Sequence, residues 1–76
     1  MTDHDLLRRI PGEYIAAGAS TLPNARASKV RFQQAEVDVP ELGRVRLHYR
    51  RFTHRRARSI RIFWSIENAE LVSAAA

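Results

Sequence analysis

The chain has no cysteine, one tryptophan, one methionine and a single lysine, Lys29, against twelve arginines. Without cysteine there is no disulfide framework and no thiolate zinc site, so two staples of very small folds are excluded. Stability must come from a packed core, or from a core plus self-association. The same absence fits a reducing compartment. No stretch reaches the roughly 18 consecutive apolar residues of a membrane span. Residues 1–10 mix Leu6, Leu7 and Ile10 with Asp3, Asp5, Arg8 and Arg9, which is not the uninterrupted apolar run of a secretory signal. The expectation is an intracellular, cytoplasmic protein.

One further absence is local and more informative. Between residues 44 and 66 there is no aspartate or glutamate, yet the segment holds Arg44, Arg46, Arg50, Arg51, Arg55, Arg56, Arg58 and Arg61, with His48 and His54. Like charges this close repel, at a cost that water and salt reduce without abolishing. A sequence selected for stability alone would intersperse acids. The whole chain carries a formal charge of +5 over 76 residues, enough length for one domain that buries roughly 60–65% of its extended surface.

Thr2 or Asp3 can cap a helix in which Leu6, Leu7 and Ile10 form one apolar stripe and Arg8 and Arg9 favour the C-terminal end. Pro11 and Gly12 end or bend it. Residues 13–17 can form a further helical turn closing at Gly18. Residues 19–28 are small and polar and read as a loop. Three strands follow. The first spans 30–39, with Val30 and Phe32 on one apolar parity and Ala35, Val37 and Val39 on the other, and the change at Gln33 and Gln34 predicts a bulge or a bend. Pro40, Glu41, Leu42 and Gly43 make a turn. The second, 44–52, alternates Val45, Leu47 and Tyr49 against Arg44, Arg46, His48 and Arg50. Residues 53–57 read as a polar connection. The third, 58–67, sets Ile60, Ile62, Trp64 and Ile66 against Ser59, Arg61, Phe63 and Ser65.

These pieces predict one α+β domain over 1–76: an N-terminal helix packed on a three-stranded antiparallel β-meander. Its parts are a helical segment 1–18, a loop 19–29, a meander 30–67 and a short tail 68–76. Leu71 packs inward from a last helical turn at 68–72. Pairing Val39 with Val45 sets Asp38 opposite Arg46 and Glu36 opposite His48, so the first strand answers part of the arginine row. On this reading the third strand brings no acid to that face.

The arginine face points to an anionic partner. Arginine's planar fork suits phosphate and carboxylate, and an arginine-bearing sheet or ribbon can follow a phosphate backbone. Arg46, Arg50, Arg55, Arg56, Arg58 and Arg61 are the expected phosphate contacts, the last four on or beside a 53–58 loop. His48 and Phe63 are candidate stacking groups for unpaired bases. The function expected is that of a small non-enzymatic protein binding DNA or RNA. The alternative is a protein-binding modulator, such as a phage or mobile-element accessory protein, docking its arginines on an acidic partner. The bland reading is a solvated face, with arginine stems covering apolar surface.

No cofactor or metal is expected. His48 and His54 supply too few ligands for zinc, even with Glu36 nearby. Arg46, His48, Arg50 and Arg61 can share a face, but His48 alone suits proton transfer near neutral pH, and no nucleophile–base pair or glycine-rich phosphate cradle accompanies it. A single sheet with a limited core also leaves an edge on which a second copy can pair to give a homodimer.

Overall fold

The computed structural model describes residues 3–74, and the side chains from residue 5 onward. Two helices, α1 (Asp3–Arg9) and α2 (Gly12–Ser20), precede three strands, β1 (Phe32–Val39), β2 (Gly43–Arg56) and β3 (Ser59–Ala74). The strands form an antiparallel meander in the order β1-β2-β3, and the helices lie on one face. The expected α+β architecture is therefore present. The expected cap at Thr2 or Asp3 lies outside the described side chains. Among the described residues, no helix is long and apolar enough to cross a membrane.

The core sits between the helices and the middle of β2. Leu6 and Ile10 are 3% and 5% exposed, while Val45, Leu47, Tyr49 and Ala69 are at 0–1%. Val39 completes this cluster, and Leu7, Val37, Trp64 and Ile66 are partly buried against it. Each fully buried aliphatic contributes about 1.5–3 kcal/mol of transfer free energy. The α2 segment continues through Gly18 to Ser20 rather than closing at Gly18. That glycine is buried for a packing reason. A Cβ there would lie 2.6 Å from the Tyr49 hydroxyl and 3.1 Å from Leu47 Cδ1. The helix thus approaches closely enough for Tyr49 Oη to donate to the Ile15 carbonyl at 2.6 Å.

Several expected boundaries move. β1 starts at Phe32, after a loop at 21–31, and its register with β2 is unbroken, so the bulge expected at Gln33 and Gln34 is absent. Val45 pairs with Val37, and Val39 with Gly43. This two-residue shift from the expected register keeps residues 35–39 on their expected faces and shortens the turn to Pro40, Glu41 and Leu42. Leu42 N–H donates to the Val39 carbonyl, Glu41 has a φ of 72°, and Gly43 follows at 115°. The polar connection at 53–57 is strand as far as Arg56, closed by a turn at Ala57 and Arg58.

The expected helical turn at 68–72 is also strand, since β3 runs to Ala74 and pairs along the whole of β2. Leu71 is 48% exposed instead of packing inward. β3 contains two bulges, with Glu67 and Val72 as the extra residues. The first one switches which parity faces the helices, from Ile60, Ile62, Trp64 and Ile66 before it to Ala69 after it.

β1 pairs with β2 only as far as Arg50, so β2 and β3 continue beyond it as a two-stranded ribbon from Arg51 and Trp64 to the turn. The described chain is correspondingly long, 48 × 20 × 19 Å. The 21–31 loop braces the ribbon's base. Trp64 Nε1 donates to the Pro23 carbonyl, an Arg51 guanidinium nitrogen to the Ser28 carbonyl and Arg26 to the Ile60 carbonyl.

Candidate nucleic-acid interface

The sheet face turned away from the helices is ordered in rows by the register. Asp38 lies opposite Arg44, and Arg44 opposite Ser73. The next rows are Glu36, Arg46, Glu70; then Gln34, His48, Asn68; then Phe32, Arg50, Ser65. Beyond β1, the ribbon alone continues with Phe52 opposite Phe63, His54 opposite Arg61, and Arg56 opposite Ser59. Along this face the chemistry changes from ion pairs, through amides, to aromatics and bare cations.

At the first end every cation is answered. Arg44 Nε donates to Glu36 at 2.8 Å, and Arg44 also reaches Asp38 at 3.2 Å. Arg46 bridges Glu36 at 3.3 Å and Glu70 at 3.1 Å. His48 Nε2 lies 2.9 Å from the same Glu70 oxygen. Hydrogen bonds from Arg44 and then Arg46 hold the Glu36 carboxyl below its ordinary value. Those from His48 and then Arg46 do the same for Glu70. Both arginines are reciprocally held in the charged form.

The expected opposition of Glu36 to His48 and of Asp38 to Arg46 is replaced by Glu36 to Arg46 and Asp38 to Arg44, which follows from the shorter turn. The expectation that β3 brings no acid here is also overturned. The Glu67 bulge turns Asn68 and Glu70 onto the arginine face. A signal for it exists in the sequence: inward apolar residues at 66 and 69 are three apart, which no unbroken strand permits.

At the other end the cations are unanswered. Arg50, Arg55, Arg56, Arg58 and Arg61 make no ion pair among the described residues, and residues 50–65 contain no acid to supply one. Arg50, Arg56 and Arg61 share the outer face with Phe63 and His54, whereas Arg58 occupies the turn and Arg55, opposite Ile60, lies on the other face. The structure therefore brings Arg46, His48, Arg50, Arg56, Arg61 and Phe63 onto one surface but separates Arg55 from it. Arg46 is there with its charge already engaged by Glu36 and Glu70, and His48 with its Nε2 held against Glu70.

Two aromatic residues join this surface beyond those expected. Phe52 and Phe63 face each other with ring centroids 5.5 Å apart and planes tilted by 48°. Arg61 lies over the Phe63 ring at 5.9 Å. Phe32 is 60% exposed, Phe52 49% and Phe63 39%. Phe52 has the same parity as Arg50 and His54, so its place was readable from alternation. Phe32 was assigned to an apolar parity ahead of a bulge, and the unbroken register instead puts it on the outer face. A shallow depression beside it is lined by Phe32, Gln34, His48, Glu67 and Asn68 of the outer face, together with Gln33 and Tyr49 of the opposite parity.

No group of three or more His, Cys, Asp or Glu side chains able to hold a metal ion occurs among the described residues. Comparison with protein-family models, with characterised proteins and with solved structures gave no match.

Proposed function

We propose that this chain is a small, non-enzymatic, cytoplasmic nucleic-acid-binding domain whose contact surface is the outer face of the β2–β3 ribbon and the row at its base. One observation carries the reading. Five arginines without an ion pair among the described residues are displayed on and around an outstretched ribbon, beside exposed aromatic rings, in a segment, residues 50–65, that holds no acid. An arginine that serves only the fold is expected to have a carboxylate or carbonyl partner, as Arg44, Arg46, Arg26 and Arg51 do. Arg50, Arg56, Arg58 and Arg61 are the phosphate ligands, with Arg55 reaching a strand that wraps the tip.

The paired end supports this division of labour rather than catalysis. A histidine held by a carboxylate is a familiar proton-transfer arrangement, but the guanidinium beside His48 is divided between Glu36 and Glu70 and is not offered to a reacting phosphate.

Salt titration is the test. If four phosphates are neutralised, log affinity for a duplex falls with log salt at a slope of about −3 to −4, and less steeply for a single strand. No retention of DNA or RNA at low salt would end this reading. A second reading, docking on an acidic protein, is favoured by the exposed phenylalanines, because aromatic residues flanked by arginine typify interface hot spots. It requires a partner that survives nuclease treatment of the lysate, and loss of every partner on digestion counts against it.

A further inference from the structure

Resting on the nucleic-acid reading, we infer that the preferred ligand is single-stranded, with one unpaired base seated on Phe32 in the depression bounded by Gln34, His48, Asn68 and Glu67. The aromatic rings bear on strandedness because a ring face stacks only on a base whose own face is free. In a duplex that face is covered by the next base pair at a rise of ~3.4 Å. Phe32 lies opposite Arg50, and Phe52 stands two residues beyond it on the neighbouring strand. That is a diagonal pair, with backbone positions roughly 7–8 Å apart. Two bases resting on these rings lie side by side on the sheet, splayed as an unpaired strand permits and a base-paired one does not.

The depression is built for a base and not for a phosphate. Gln34, His48 and Asn68 form one continuous row across the three strands. The amides offer both donors and acceptors to a Watson–Crick edge. The Glu67 carboxylate at the rim repels phosphate and accepts from an exocyclic amine. Both Asn68 and Glu67 reach this place through the bulge, which leaves Glu67 as the extra residue. Arg50 stands between the Phe32 and Phe52 rings on the same face, where it can hold the connecting phosphate, and Arg61 and Arg56 continue the cationic track toward the tip. A stacking surface interleaved with cations is how proteins hold single strands without pairing them.

The experiment measures anisotropy of labelled DNA and RNA single strands of about ten nucleotides and of duplexes of the same sequences, at one low salt concentration. The proteins are the full chain, Phe32→Ala and Phe32→Tyr. Phe32 is an exposed edge-strand residue, so both variants are expected to fold, which circular dichroism checks. The inference expects the full chain to bind at least one single strand several-fold more tightly than its duplex. Phe32→Ala weakens that single strand about fivefold or more, leaves the duplex unchanged, and is rescued by Phe32→Tyr. Equal or tighter duplex binding overturns the inference while leaving the nucleic-acid reading intact. So does a Phe32→Ala variant that weakens both forms alike or neither. Failure of the full chain to bind any of the probes overturns both.

Discussion

The two ends of one sheet face use the same residue in opposite ways. At the helix-covered end, Arg44 and Arg46 are locked to Glu36, Asp38 and Glu70. At the ribbon end, Arg50, Arg56 and Arg61 make no ion pair among the described residues. The contrast follows from topology. β1 supplies acids only along its own length, and β3 supplies Glu70 only after its bulge, so a ribbon that outruns β1 outruns both sources. Three strands and two helices make the body, whereas two strands and a loop make the ribbon. The body is therefore expected to carry the stability and the ribbon the binding.

The largest test of that division is a pair of truncations. Leu47→Ala, at 0% exposure in the body, is expected to cost about 2–5 kcal/mol, a large part of what a domain this size possesses. Ile60→Ala in the ribbon, half exposed, should cost well under 1 kcal/mol. Urea denaturation compares them, and similar losses would erase the distinction.

Next is the close approach beneath α2. Gly18→Ala is expected to destabilise by about 1–3 kcal/mol, because the new methyl must displace the Tyr49 hydroxyl and Leu47. Tyr49→Phe removes that hydroxyl and its bond to Ile15, at about 0.5–1.5 kcal/mol. The double variant should be more stable than the sum of the two losses predicts, since the closest clash is gone. Strict additivity would mean that the Tyr49 hydroxyl does not crowd position 18.

The arginines then sharpen the comparison directly. Arg56→Gln or Arg61→Gln should leave the melting temperature nearly unchanged and lower the steepness of the salt slope by roughly 0.7–0.9 each. Arg46→Gln should reverse the pattern. It lowers stability by removing the cation that Glu36 and Glu70 share, which leaves them only Arg44 and His48, and leaves the slope almost unaltered. Equal slope changes at both ends would show that the ion pairs open to bind phosphate.

Titration distinguishes the ends in another way. Glu36 and Glu70 are held below the ordinary carboxylate value of ~4.3 by their hydrogen bonds. Their contribution is thus fully present above that value and is lost as pH falls through their lowered folded values. Burial raises the Tyr49 phenol above its ordinary value. Its contribution is present below ~10 and is lost as pH rises through the raised folded value. Thermal melts across pH should show both losses in the full chain, and Glu70→Gln should blunt the acid one. The smallest effect expected is at the ribbon tip. The turn at Ala57 and Arg58 contains no residue at positive φ, whereas two-residue hairpins favour left-handed turns that match strand twist. Replacing the pair with Asn-Gly should stabilise the ribbon modestly, seen as slower amide exchange confined to residues near the tip.

Much of this was legible in the sequence, for reasons that individual residues make plain. The alternation of Val45, Leu47 and Tyr49 against Arg44, Arg46 and His48 fixes β2 and both its faces, because strand side chains alternate regardless of what surrounds them. The spacing of Leu6, Leu7 and Ile10 fixes the helix stripe, and the run of arginines fixes where positive charge concentrates. The identity of each arginine's partner was not legible. Register depends on how few residues a turn uses, and here Val39 pairs with Gly43, two residues before the Val45 expected.

What the sequence by itself determined is the order of elements, the apolar face and an acid-free basic segment, all properties of local periodicity and composition. What only the tertiary structure decided is which carboxylate meets which arginine at the neutralised end, and that β3 adds Glu70 to it. Cross-strand pairing, the length by which β2 and β3 exceed β1, and the bulge at Glu67 set which charges meet, and each depends on residues distant in the chain. Pairing over such separations is selected by the packing of the whole domain, through the burial of Val45, Leu47, Tyr49 and Ala69 beneath the helices, and no local window of sequence contains that energy.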